Sequence, residues 1–81
     1  VEDADIEKEL VELEKIVVDE HTRLKGLTIR ESGIREKTNG LVVGIERKGE
    51  RILNPSSFTQ LEWDDIVWIV GNRKKIQQLY H

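Results

Sequence analysis

Residues 24–45 read LKGLTIRESGIREKTNGLVVGI, and the fold turns on this stretch. Thr28 and Glu31 stand three apart, the spacing of a capping box. The Thr28 hydroxyl can accept the Glu31 amide while the Glu31 carboxylate returns to the Thr28 amide. Gly33 follows about one and a half turns later, where a left-handed cap closes a helix. The helix is therefore short, with Ile29 facing inward and Leu27 and Ile34 beside it. Residues 35–40 (REKTNG) read as a charged loop. Asn39-Gly40 reads as a left-handed turn that feeds a strand over residues 41–47. Simple alternation puts Leu41, Val43 and Ile45 on one face of that strand and Val42 and Gly44 on the other. A glycine inside a strand points to something packed close against the backbone.

Upstream, residues 11–18 carry Val11, Leu13 and the β-branched run Ile16-Val17-Val18, which favours a strand. Ile6, Leu10, Leu13 and Val17 also lie at helical spacing, so a helix through residue 17 is the alternative. Residues 1–10 are acidic and read as a linker or lead-in. Residues 19–26 (DEHTRLKG) are turn-like. Downstream, Lys48-Gly49 marks a hairpin turn into a brief strand over residues 50–53. Asn54-Pro55 ends it, since a residue before proline favours extended backbone. Ser57 and Gln60 form a possible second capping box. Residues 65–71 (DIVWIVG) are apolar at five successive positions, which predicts a central strand buried on both faces. Asn72 caps a last helix carrying Ile76, Leu79 and Tyr80 at i, i+3 and i+4. The order β-α-β-β-β-α predicts an α+β fold, a four-stranded mostly antiparallel sheet with two helices packed on it.

At 81 residues the chain has room for one domain, and 37% apolar residues support one small core. So small a domain is marginally stable alone, and self-association is a common remedy. With no cysteine, neither a disulfide nor a thiolate zinc site can help. Thirteen basic and 16 acidic residues leave a net charge of -3. That balance argues against a nucleic-acid partner, which favours a net basic face. No apolar run approaches the ~18 residues of a membrane span. The chain starts at Val1 and holds no methionine, which suggests a piece of a longer protein.

In order and spacing the motifs resemble the C-terminal regulator-of-conductance-of-potassium domain, also called the TrkA C-terminal domain. The pattern is L-x-G-x-T-I-R-E-x-G-I-R, then G-L-V-V-G-I-x-R-x-G-E, then I-L-N-P, then L-E-x-x-D-I-V-W-I-V-G before a helix. It runs from about residue 13 to residue 80. The resemblance implies a cytosolic regulatory domain, ligand-sensing and dimerising, of a potassium channel or cation/proton antiporter. It also implies a homodimer and a parent membrane transporter as partners. No GxGxxG is present, so no dinucleotide is expected, and a regulatory nucleotide or other small anionic ligand is the ligand class. Some members bind cyclic di-AMP between two copies. By analogy the candidate ligand-binding residues are Ile29 and Arg35, with Pro55 across the cleft and Leu41 where those members carry asparagine. A leucine cannot hydrogen-bond an adenine edge, which counts against cyclic di-AMP. An assembly module with no ligand is the alternative. Asp64-Asp65 also replaces the family's usual Gly-Asp, which implies a changed turn.

Other clusters have plainer readings. Asp19-Glu20-His21 reads as a solvated turn, because adjacent residues rarely converge on one metal. Asp64 reads as a turn cap and Asp65 as the opening of a strand. Trp68 reads as core, and Trp63 as a residue suited to a dimer contact. Arg73-Lys74-Lys75 reads as a solvated helix face. No nucleophile motif is present, so neither a catalytic residue nor a metal site is expected.

Overall fold

The computed structural model describes residues 11–80. Strand β1 (Val11–Val17) precedes two short helices, α1 (Ile29–Ser32) and α2 (Ile34–Thr38). Strands β2 (Leu41–Arg47), β3 (Glu50–Leu53) and β4 (Ile66–Asn72) follow, then α3 (Arg73–Gln77) and a single 3-10 turn, Gln78–Tyr80. The sheet is antiparallel throughout, in the order β1-β4-β2-β3. The α+β architecture predicted from sequence is the one observed. The helical alternative fails over residues 11–17, which are strand. The lead-in reading of residues 1–10 lies outside the described residues.

Local signals form as their residues dictate. The Thr28–Glu31 capping box is complete, with both hydrogen bonds present at 3.0 and 3.1 Å. Accepting the Thr28 amide holds the Glu31 carboxyl below its ordinary value of 4.5. A carboxyl lowered on folding adds stability above its unfolded pKa, lost as pH falls through the folded one. Glu31→Gln keeps an acceptor and removes the charge. We expect acid unfolding of this variant to lose the part of its pH dependence that lies below about pH 4.5. Overlapping acid titrations of variant and wild type, followed by circular dichroism, would contradict this assignment. Gly33 takes the left-handed conformation expected (φ 69°), as does Asn39 (φ 55°). Lys48 and Gly49 form the hairpin turn with positive φ at both positions, and Asn72 caps α3 by accepting the Lys75 amide.

Other expectations are corrected. Residues 35–38 are not loop: after Gly33 the chain resumes as α2, so the described residues hold three short helices where two were expected. Thr38 stabilises the last turn of α2 by donating to the Ile34 carbonyl, 2.7 Å. In β2 the ladder shifts between Val42 and Gly44, leaving Val43 as the extra residue of a bulge. The bulge reverses the alternation. Val42 and Ile45 face the core, while Leu41 and Val43 are exposed. Asn54 is left-handed (φ 47°), not extended, and its amide is held by the Val43 carbonyl at 3.0 Å. The second capping box does not form. Gln60 bridges Thr28 instead, and its side-chain amide donates to the Gly26 carbonyl.

The central strand β4 is buried on one face only. Val67 and Ile69 are buried, while Ile66, Trp68 and Val70 are half-buried on the other side. The core joins Ile16, Val18, Val42, Ile45, Val67 and Ile69 of the sheet side to Ile29, Ile34, Ile76 and Leu79 of the helical side. Among the described residues the helical segments therefore cover one face of the sheet and leave the other open. Trp68, read from sequence as core, belongs to that open face. Its indole N–H donates to Glu46 Oε1 at 2.9 Å, and the Lys15 ammonium lies 5.7 Å from the ring centre.

Candidate functional site

The helical pair α1–α2 builds a small pocket from a repeated doublet. Ile29-Arg30 and Ile34-Arg35 stand five residues apart across the Gly33 turn. In each doublet the isoleucine is buried and the arginine is exposed. The isoleucines anchor the helices in the core, and the arginines are left on the surface around a pocket of about 250 Å³. Ile29, Arg30, Arg35, Glu36 and Ser57 line it. The loop after β3 supplies Ser57 because two backbone bonds tie it to α1. The Ile29 amide donates to the Thr59 carbonyl at 3.0 Å, and the Arg30 amide to the Ser57 carbonyl at 2.9 Å.

Neither Arg30 nor Arg35 makes a salt bridge or a side-chain hydrogen bond with another described residue. The carboxylate nearest in sequence to Arg30, that of Glu31, is held by the Thr28 amide. Two guanidinium groups with free donors suit a ligand carrying phosphate or carboxylate oxygens, because the planar fork matches paired oxygens. Ser57 and Glu36 add neutral and acidic hydrogen-bonding groups to the rim.

The structure brings together Ile29 and Arg35, two of the residues chosen from sequence. Pro55 is buried two residues before Ser57 and outside the pocket lining. Leu41 lies on the open face of the sheet, 58% exposed, also outside the lining. The residues that sequence reading missed are Arg30, Glu36 and Ser57. The repeated Ile-Arg doublet was the available signal for Arg30. Nothing local marks Ser57, which arrives through pairing across the chain.

The other clusters resolve into local structure. Asp19 Oδ1 accepts the amides of His21 and Thr22, closing a turn. Asp65 is fully buried and bound by both Arg47 Nε and Nη2, at 2.9 and 2.7 Å. Among the described residues no group of three or more His, Cys, Asp or Glu is placed to hold a metal. Arg73 Nε stands 3.5 Å from Glu14 across the sheet edge. Trp63 is 53% exposed.

Among the described residues, a four-stranded antiparallel sheet, helices on one face and an arginine-lined pocket beside α1 define a small α+β domain. The TrkA-C domain profile matches residues 13–81, and the chain belongs to that family. It is 28% identical over 72 residues to probable potassium channel protein 2 of Methanocaldococcus jannaschii, covering 89% of this chain and 21% of that protein. The chain thus spans about a fifth of that relative's length. Among solved structures, the fold matches the RCK C domain of the potassium transport protein KtrA in complex with cyclic di-AMP. That match has a TM-score of 0.76 at 20% identity, over 96% of this chain and 89% of the other. The RCK_C domain dimer of S. agalactiae BusR, also in complex with cyclic di-AMP, matches with a TM-score of 0.72. It is 27% identical over 86% of this chain and 91% of the other. BusR has also been solved with its busAB-promotor DNA, and there the likeness, at 24% identity, is one of fold. The fold thus occurs in a DNA-bound protein, so family membership does not carry the sequence-based expectation of no nucleic-acid partner. Among the described residues no helix is long and apolar enough to cross a membrane.

Proposed function

We propose that this domain is the ligand-sensing, pairing regulatory domain of a potassium channel or cation/proton antiporter, on the cytosolic side of the membrane. Family membership and the match to a probable potassium channel protein support the setting. The observation that carries the ligand reading is the pair of unpartnered guanidinium groups, Arg30 and Arg35, at one pocket. The ligand class is a small anion, a regulatory nucleotide foremost. A 27% identical relative forms a domain dimer with cyclic di-AMP. By analogy Ile29, Arg35, Pro55 and Leu41 are this chain's counterparts of such a site. A ligand acts on gating only through unequal affinity for two arrangements of the paired domains. No catalytic role is proposed.

A second reading, an assembly module without a ligand, is favoured by Leu41. An exposed leucine offers no hydrogen bond to a base. The two readings separate in a thermal-shift panel with cyclic di-AMP, ATP and NADH. A ligand at 100 times its dissociation constant adds about 2.7 kcal/mol. For a domain of this size that amounts to roughly 10 to 20 °C of melting temperature. A shift with any of the three favours sensing. An unmoved melting temperature with all of them favours assembly alone.

A further inference from the structure

We propose that a second cavity on the helical side, separate from the pocket beside α1, binds a ligand with two or more adjacent phosphate groups. The two cavities share the α1–α2 pair as a wall and no lining residue. The proposal stands on this cavity alone and does not rest on the reading above.

The cavity measures about 480 Å³. Three parts of the chain build it: the turn after β1, the α1–α2 pair, and α3 with the 3-10 turn that follows. Its floor is apolar. Leu24 and Leu79 belong to the core, and Leu27 beside them is half-buried. Each part of the chain contributes one cation: Arg23 from the turn, Lys37 from α2 and Lys75 from α3. All three are exposed, and none makes an ion pair or a side-chain hydrogen bond with another described residue. The one carboxylate in the lining, that of Glu31, is already engaged, since it accepts the Thr28 amide at 3.0 Å. The lining is therefore net positive, in a chain whose net charge is -3. Like charges gathered at one cavity repel one another, and an anion placed among them relieves that cost.

Local structure holds two of the cations in place. Arg23 has left-handed backbone, φ 57°. The turn that carries it is closed by Asp19, whose carboxylate accepts the His21 and Thr22 amides and whose carbonyl accepts the Thr22 hydroxyl. Lys37 lays its aliphatic stem along Gly33, where an added Cβ would meet Lys37 Cε at 3.5 Å. A cation whose approach is set beforehand loses less freedom when a ligand arrives.

This arrangement selects the ligand's chemistry. Three cations answer several negative charges close together, and lysine and arginine both bind phosphate, one as a point charge and the other as a fork. The volume lies within the roughly 300 to 1,000 Å³ of small-molecule sites, so more than the phosphates fits. The leucine floor suits an apolar portion, either a nucleoside or the acyl root of a phospholipid. Gln78, whose side chain makes no hydrogen bond with another described residue, can orient the neutral part. A free polyphosphate and a doubly phosphorylated lipid headgroup share this chemistry.

The test has two arms, both in magnesium-free buffer. One is calorimetric titration with inorganic pyrophosphate and with ATP. The other is flotation with phosphatidylcholine vesicles, with and without cardiolipin. Wild type is expected to bind in at least one arm, and the arm identifies the source. In that arm Lys37→Gln with Lys75→Gln is expected to weaken binding at least about 10-fold. Arg23→Asn is expected to weaken it about 5-fold with no loss of stability, because asparagine accepts left-handed backbone. That variant keeps the test decisive should the lysine pair fail to fold, which circular dichroism checks. Lys48→Gln with Arg51→Gln, on the β2–β3 hairpin, removes equal charge outside the cavity and is expected to bind as wild type does. Arg35→Ala, in the pocket beside α1, is expected to retain this binding, so the two sites fail separately. Absence of binding in both arms overturns the proposal. So does equal weakening in the hairpin pair, or loss in Arg35→Ala with none in the cavity variants.

Discussion

Gly40→Ala is expected to destabilise the domain by about 3 kcal/mol, the upper range for overpacking. A Cβ at Gly40 would stand 2.3 Å from the Val70 carbonyl oxygen and 2.9 Å from Gly71 Cα. Both are backbone atoms of β4, hydrogen-bonded to β1 on one side and β2 on the other. They cannot yield without pulling the central strand from its ladders. At Gly71 the corresponding contacts are looser, 3.0 Å to Gly40 Cα and 3.3 Å to the Thr38 carbonyl. Gly71→Ala is therefore expected to cost less, about 1 to 2 kcal/mol. Urea unfolding of both variants, read with unchanged slopes, checks the order. A Gly40→Ala midpoint equal to wild type would show that the crossing of these two glycines is not tight.

Arg47→Ala is expected to cost a similar amount, about 3 kcal/mol, the lower end for removing one member of a buried ion pair. Asp65 is fully buried and accepts from Arg47 Nε, Arg47 Nη2 and the Glu62 amide. Arg47 Nη2 also donates to the Gln60 carbonyl at 2.8 Å, so one side chain ties the end of β2 to the loop before β4. A hydrogen bond to the Asp65 carboxylate raises the Arg47 pKa further, so the guanidinium stays charged. Removing Arg47 strands a carboxylate inside the fold, with a single remaining donor. Removing Asp65 strands a guanidinium whose side chain is 33% exposed and can turn to water. Asp65→Ala is therefore expected to be milder, about 1 to 2 kcal/mol. Replacing the pair together, Arg47→Met with Asp65→Leu, is expected to recover at least half the loss, because an apolar pair needs no partner. Equal costs for Arg47→Ala and Asp65→Ala would contradict the argument from unequal burial.

What the sequence disclosed and what it hid separate by the range of the interaction. The Thr28–Glu31 box, the left-handed Gly33 and Asn39, the Lys48-Gly49 hairpin and the Asn72 cap are closed by residues within four positions of one another. Their types suffice to read them. The Val43 bulge is different, because it exists only against β4, more than twenty residues away. Without it, simple alternation assigns Ile45 to the wrong side with Leu41 and Val43. The Gly40–Gly71 crossing and the Arg47–Asp65 clamp are likewise long-range and carry no local mark. The continuous apolar run of β4 suggested burial on both faces, and half of it looks onto the open sheet. The pocket beside α1 divides in the same way. Ile29 and Arg35 followed from the family resemblance, and Arg30 repeats the same doublet. Ser57 depends on the loop after Pro55 reaching α1.

Leu41 and Arg35 together hold the central functional claim, that this domain senses a small anion at a seam between copies. Calorimetric titration of cyclic di-AMP into wild type, Leu41→Asn and Arg35→Ala tests it most directly. Leu41 is exposed, so asparagine is tolerated there and restores the group that can hydrogen-bond a base. The account predicts weak binding to wild type, at least about 10-fold tighter binding to Leu41→Asn, and none to Arg35→Ala. Stoichiometry should be one ligand per pair of chains. Absence of heat in both wild type and Leu41→Asn, or binding undiminished in Arg35→Ala, would contradict it.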